Sequence, residues 1–303
     1  MRNVLMLALI IPLALHAQRV RMDFIVKDYD GNPLDGVKIE YCTSGKLIAP
    51  YINAPDIENV CMTDADGKAS DRFLCWDGEV DCYFKKDGYY PVSVLGVRYG
   101  ANYDIETDRT TFATNRQSVA VKMKKQKNPQ PMIYHHEAER RRVPSRKRVG
   151  YDLKVGDWVA PDGKGIVPDF MVYCEYDETE RTITSLCGYI EFDRPGSGAY
   201  LRKKDSCLQF PIDYLADTNA IYASRFEFSY QKDGPARHSR RVAEDDEYLV
   251  VRSRTRLDKD GKIAEANYSH IQSPFIIGNY LTIESSYFNP RVNDLNLEYE
   301  QER

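Results

Sequence analysis

The chain is predicted to be all-β, built as two β-sandwich domains, and three observations carry that expectation. Apolar residues recur at every second position in many short segments, turns rich in Gly, Asp and Asn separate those segments, and no stretch of comparable length spaces its apolar residues as a helix does. Composition agrees: 42% of the 303 residues are apolar, and tyrosine, at 22 copies, far outnumbers phenylalanine at 11 and tryptophan at 2. Such a mixture suits strands with one wet face.

At the start of the chain Arg2, the apolar run Val4 to Leu15, and Leu15-His16-Ala17 before Gln18 have the layout of a secretory signal peptide over residues 1–17. The run is too short for a bilayer span and ends in a small residue suited to cleavage, so export with removal is expected and a transmembrane segment is not. No Cys follows Ala17, which argues against a lipid anchor. The expected location is periplasmic or extracellular. A mature chain of about 286 residues exceeds the usual single core and is expected to divide in two.

The first domain is expected over 18–125. Val20, Met22, Phe24 and Val26 alternate with polar residues, and Asp28-Tyr29-Asp30-Gly31-Asn32-Pro33 then breaks the strand. Val37, Ile39 and Tyr41 resume the alternation, Thr63-Asp64-Ala65-Asp66-Gly67-Lys68 marks another turn, Val80, Cys82 and Phe84 follow, and Val119, Val121 and Met123 close the series. Gly31 and Gly67 suit positive φ in the turns, and Leu34 with Val37 is expected to enter the core. A strand, then Asp28-x-x-Gly31-x-Pro33-Leu34-x-Gly36-Val37, Thr63-Asp64-x-x-Gly67, Gly88-Tyr89 and a final alternating strand resemble the carboxypeptidase regulatory-like, or transthyretin-like, β-sandwich family. That resemblance covers roughly a third of the chain and implies a structural or binding module without catalytic residues. The sequence departs from the family in longer stretches between Tyr41 and Thr63 and between Pro91 and Asn115.

Residues 126–149 change character and read as a basic linker, with Tyr134 to Arg142 long enough for two turns of helix. Between Lys122 and Arg148 ten basic residues face only Glu137 and Glu139, a net of +8 in a chain of net −4. Arg140, Arg141, Arg142, Arg146, Lys147 and Arg148 are the candidate contacts to an anionic partner; the competing readings are protease-sensitive sites and a solvated tether.

From 150 to 303 the pattern is β again, over Phe170 to Tyr176, Thr182 to Phe192, Arg225 to Tyr230, Tyr248 to Leu257, Ile263 to Ile271 and Tyr280 to Ser285. Eight or nine strands are expected, with Asp258-Lys259-Asp260-Gly261 as a hairpin turn and a helical turn only within Asp213 to Ser224. No family is recognised in this domain.

Seven cysteines follow the leader: Cys42, Cys61, Cys75 and Cys82, then Cys174, Cys187 and Cys207. Export permits disulfides, and the competing reading is burial as small apolar side chains. Cys174 and Cys187 flank an expected hairpin around Asp177 to Glu180, where a four-residue loop sets Cys174 against Ile183 and leaves Cys187 out of reach.

Three Asp-x-Asp-Gly segments, at Asp28, Asp64 and Asp258, lack the remaining ligands of a calcium loop and read as turns. Histidine is scarce, zinc spacings are absent, and Gly196-Ser197-Gly198 lacks nucleophile-elbow spacing, so no catalytic residue, metal or cofactor is assigned. Nucleic acid is not an expected partner. Arg252, Arg254 and Arg256 alternate with Ser253 and Thr255, and simple alternation projects them from one strand face about 7 Å apart, a ladder able to grip carboxylate, sulfate or phosphate. The competing reading neutralises the row with cross-strand acids, and the hairpin loop decides: a two- or four-residue loop sets Arg256 or Arg254 against Glu265, a three-residue loop with a bulge sets the arginines against Ala264, Ala266 and Tyr268.

The expected function is an exported, non-catalytic binding or cell-envelope structural protein. Its expected partner is an anionic polysaccharide or another envelope protein, with self-association as a further expectation. The alternative is a secreted glycosidase-type hydrolase using a carboxylate pair in the second domain, for which Glu191 and Asp193 are an example on one strand.

Overall fold

The computed structural model describes residues 18–43, 57–75, 79–98, 101–104, 109–112, 117–136, 141–179, 182–205, 210–231, 241–277 and 280–300. The leader expected over 1–17 lies outside them, as does Arg140. Among the described residues all regular structure is β-strand. The chain forms two compact units, 1–127 with 206–211, and 128–205 with 212–303.

The first unit contains β1 (Gln18–Asp28), β2 (Lys38–Thr43), β3 (Ile57–Met62), β4 (Lys68–Cys75), β5 (Glu79–Lys85), β6 (Val92–Arg98), β7 (Ala101–Asp104), β8 (Arg109–Phe112) and β9 (Gln117–Met123). They form a sheet ordered β4-β1-β9-β7-β8 and a second ordered β3-β2-β5-β6. The sequence alternation becomes the core directly. Val20, Met22, Phe24 and Val26 of β1 and Val119, Val121 and Met123 of β9 share one buried cluster with Ile39 and Tyr41 of β2 and Val80, Cys82 and Phe84 of β5. Phe24 packs edge-on to Phe84 at 5.9 Å, and the Tyr41 hydroxyl donates to Asp71.

The turns follow from their residues. Gly67 has φ +70°, and a Cβ there would stand 2.3 Å from the Val26 carbonyl oxygen, so both dihedral and space require glycine. Thr63, buried beside it, accepts the Val37 N–H at 2.9 Å and donates to the Leu34 carbonyl at 2.6 Å, which draws Leu34 and Val37 into the core. In the three Asp-x-Asp-Gly segments the first aspartate caps its own turn: Asp28 accepts the N–H of Asn32, Asp64 those of Asp66 and Lys68, and Asp258 those of Asp260 and Lys262.

The second unit contains β10 (Ile133–His136), β11 (Arg141–Arg142), β12 (Lys147–Asp152), β13 (Asp157–Trp158), β14 (Phe170–Thr179), β15 (Thr182–Glu191), β16 (Gly198–Lys203), β17 (Arg225–Gln231), β18 (Arg241–Ala243), β19 (Glu247–Leu257), β20 (Ile263–Ile277) and β21 (Tyr280–Phe288). One sheet runs β10-β21-β20-β19-β16, with β11 also on β21 and β18 on β20; the other runs β13-β12-β14-β15-β17. Val149, Tyr151, Phe170, Val172, Leu186 and Ile190 of the second sheet share a buried cluster with Leu249, Val251, Ile271, Phe275, Ile283 and Phe288 of the first.

Four expectations are corrected here. The segment read as a linker is part of the second unit's sheets, because Ile133–His136 and Arg141–Arg142 pair with β21 and Lys147–Tyr151 with β14. Its helical turns are therefore replaced by strand over 133–136. Among the described residues nine strands, β13–β21, lie wholly within 150–303, in keeping with the expected eight or nine, and β10–β12 are added from the supposed linker; 212–224, by contrast, holds no helical turn. Finally, the described cysteine side chains, Cys42, Cys61, Cys82, Cys174 and Cys187, all carry thiols. The hairpin turns at Thr179↔Thr182, so Cys187 stands opposite Glu175 while Cys174 stands opposite Gly188, and the two thiols project from opposite faces.

Candidate functional site

Directly opposed residues of an antiparallel pair share a face, so the register of the β10-β21-β20-β19-β16 sheet maps both its sides. One side carries Leu249, Val251, Ile271 and Phe288 into the sandwich core. The other carries three rows. The first is Tyr134, Tyr287, His270, Val250 and Tyr200; the second His136, Ser285, Gln272, Tyr248 and Arg202; the third Tyr268, Arg252 and Gly198. Two segments lie against this face. The backbone N–H groups of Asp213 and Asp217 donate to the hydroxyls of Tyr248 and Tyr200, at 3.0 and 2.9 Å, and Tyr299 stacks on Tyr287 at 3.9 Å.

The three arginines of β19 have three different fates. Arg254 has φ +53° at a bulge between Ser253 and Arg256, and the irregularity swings it off the face that Arg252 occupies. It enters the gap between the sheets, where it donates to Asp169 at 2.9 and 3.0 Å and to Asp152 at 2.7 Å. The Ser253 hydroxyl donates to the same Asp169 at 2.6 Å. Asp152 also accepts the N–H groups of Lys154, Val155, Ile166 and Val167. Burial pushes the Asp152 carboxyl up, and the Val167 and Ile166 N–H groups with Arg254 outweigh it, so its pKa lies below the ordinary value. This cluster is a polar clamp across the sandwich.

Arg256 is exposed and pairs with Glu265. The hairpin does close over three residues, with Asp258 N–H to Lys262 O at 2.8 Å and Gly261 at φ +77°, and that loop alone sets Arg256 against Ala264. A second irregularity between Arg256 and Leu257 restores Glu265 as its partner.

Arg252 differs from both. Its Nε donates to the Gly196 carbonyl at 2.7 Å and its guanidinium lies over the Tyr222 ring, 3.8 Å from the centroid. Among the described residues no carboxylate pairs with it. Glycines make this geometry possible. Gly196, at φ +82°, turns its carbonyl toward Arg252, and Gly198, register partner of Arg252, leaves space for the passing 222–223 backbone. A Cβ at Gly198 would meet the Tyr222 and Ala223 carbonyl oxygens at 2.9 and 2.8 Å. Reciprocal hydrogen bonds between Ala199 and Ala223, 3.0 and 2.8 Å, pin that segment to β16. Tyr200 meets Tyr222 edge-on at 5.0 Å, so the aromatic wall beside Arg252 is fixed on two sides.

The basic segment is distributed among acids of later strands and turns. Arg146 pairs with Glu175, Lys147 with Asp162, and Arg148 with both Glu191 and Asp193; Arg142 is exposed in β11 beside Arg141. Arg148 thus stands between the two carboxylates singled out as an example pair. Among the described residues no three His, Cys, Asp or Glu side chains converge for a metal, and no helix is long and apolar enough to cross a membrane.

Sequence reading missed Tyr200, Tyr222 and His270, while Tyr268 does stand opposite Arg252, as a three-residue loop requires. A signal existed: Tyr248-Leu249-Val250-Val251 is apolar at both parities, as in a strand covered on both faces. His270 is fully buried, stacks on Tyr287 at 4.5 Å, and burial lowers its pKa to about 3.

No family model matches the chain, and no curated protein matches it. Among solved structures it is similar to a catechol 1,2-dioxygenase of Acinetobacter radioresistens, at 13% identity and TM-score 0.27, over 38% of this chain and 54% of that one. It is similar to a shaft pilin of Lactobacillus rhamnosus GG at 11% identity and TM-score 0.23, covering 84% and 87%, and to a DUF3823 family protein of Parabacteroides merdae at 12% and 0.20, covering 92% and 100%. The chain spans about half the length of the dioxygenase. Overlaps this loose transfer no activity or ligand.

Proposed function

We propose that this is an exported, non-catalytic binding protein of the cell envelope whose second unit recognises an anionic polysaccharide through Arg252. The observation that carries the reading is an arginine with its Nη groups uncommitted to any described carboxylate, set over the Tyr222 ring and anchored by Gly196. A guanidinium held this way presents a fixed fork to a carboxylate or sulfate, with Tyr222 as its backing. The first unit, a β-sandwich, serves as the structural or binding module that its carboxypeptidase regulatory-like turns imply, and the leader delivers the whole to the periplasm or beyond.

The test is binding of the mature chain to immobilised anionic and neutral polysaccharides at low and high salt. Anionic polymer is expected to bind, more weakly as salt rises, and Arg252→Ala to weaken it by roughly 10-fold or more, as loss of a charge-assisted hydrogen bond does. Equal retention on neutral polymer, or unchanged affinity in Arg252→Ala, refutes the reading.

A further inference from the structure

The far edge of the same sheet face carries a second arrangement of rings. Tyr134 is 45% exposed and His136 is exposed, at alternate positions on β10, which among the described residues pairs only with β21. Their rings lie within 20° of parallel with centroids 6.3 Å apart. Tyr134 is held from behind by Tyr287 at 4.8 Å, and Tyr287 in turn by His270 at 4.5 Å and Tyr299 at 3.9 Å. Each ring is braced by a more buried one, so the outermost pair loses little freedom when a ligand settles on it.

We infer that Tyr134 and His136 form a stacking shelf for the uncharged face of a sugar ring, a second contact for the polymer that Arg252 recognises; this rests on the polysaccharide reading above. Parallel rings on an edge strand present extended apolar area with polar rims, which matches the C–H face and hydroxyl edge of a pyranose. No acidic residue belongs to the described part of β10, Ile133–His136, so the shelf selects for shape and apolar surface. The two contacts therefore differ in physics. The Arg252 contact weakens with salt, whereas the stacking contact is not screened.

That difference gives the test. Mature protein is bound to immobilised polygalacturonate across a salt series, as wild type, Arg252→Ala, Tyr134→Ala/His136→Ala, and His136→Ala alone. Arg252→Ala is expected to remove the salt-sensitive part of binding and to leave the salt-resistant part. The double variant is expected to weaken the salt-resistant part by roughly 10-fold, and His136→Ala alone by less, since it leaves the braced Tyr134 in place. Near-ultraviolet circular dichroism of the tyrosines verifies that each variant keeps its fold. A salt-resistant component that survives the double variant, or binding with no such component, overturns the shelf while leaving Arg252 standing; absence of any binding by wild type overturns both.

Discussion

Arg252 and Arg254 stand two residues apart on one strand and do opposite work. Arg254 sits between the sheets, its Nε and Nη2 donating to two aspartates whose side chains are 2% and 0% exposed. Arg252 lies on a tyrosine ring on the other face, its charge answered by no described carboxylate. The bulge at Arg254 separates them, and it shows that a single backbone irregularity can send one arginine of a strand between the sheets and leave its neighbour on the opposite face.

The comparison breaks first at the clamp. Arg254→Leu leaves Asp152 and Asp169 buried without their cation, and a loss of about 3–5 kcal/mol is expected in urea denaturation. An unchanged midpoint would mean that Arg254 is as dispensable to the fold as Arg252. Next comes acid. The unfolded chain takes up a proton at His270 near pH 6.5, the folded chain only near pH 3, so stability is complete above about 6.5 and drains away as pH falls toward 3. The full loss amounts to roughly 5 kcal/mol, and His270→Phe is expected to flatten that part of the profile. Asp152, with its lowered pKa, acts in the same direction, since its stabilisation is lost as pH falls through the folded value. Gly198→Ala sharpens the recognition side: the new Cβ collides with the Tyr222 and Ala223 carbonyls, costing about 1–3 kcal/mol of stability and loosening Tyr222 from Arg252, seen as weaker polysaccharide binding. The smallest effect belongs to Arg256→Ala, expected to leave both the denaturation midpoint and the affinity where they were, because its pair with Glu265 is in solvent.

The first unit was legible where β1, β2, β5 and β9 alternate apolar with polar residues and where a turn admits one conformation, as at Gly67, whereas β3, β6, β7 and β8 lie in the stretches that carried no such pattern. The second unit hid its logic in long-range pairs. Nothing near Arg254 announces Asp152 or Asp169, about a hundred residues upstream in sequence, and a non-glycine residue at positive φ gives no local sign. The basic run looked like a tether because composition records charge without partners, and Glu175, Asp162, Glu191 and Asp193 all lie on later segments. Arg252 could be named from the alternation of β19, whereas Tyr222, the ring it lies over, comes from a loop with no pattern of its own.

In the first unit β1 and β9 are neighbours and run parallel, with seven residues in register from Met22↔Gln117 to Asp28↔Met123. Their chain ends therefore leave the sheet at opposite poles. Tension applied along the polypeptide, from Gln18 at one pole and Met123 at the other, loads that whole ladder in shear, so its hydrogen bonds must yield together rather than peel one at a time. A sheet threaded in this manner resists being pulled apart along its strands, a mechanical property that belongs to the first unit whatever ligand the chain takes.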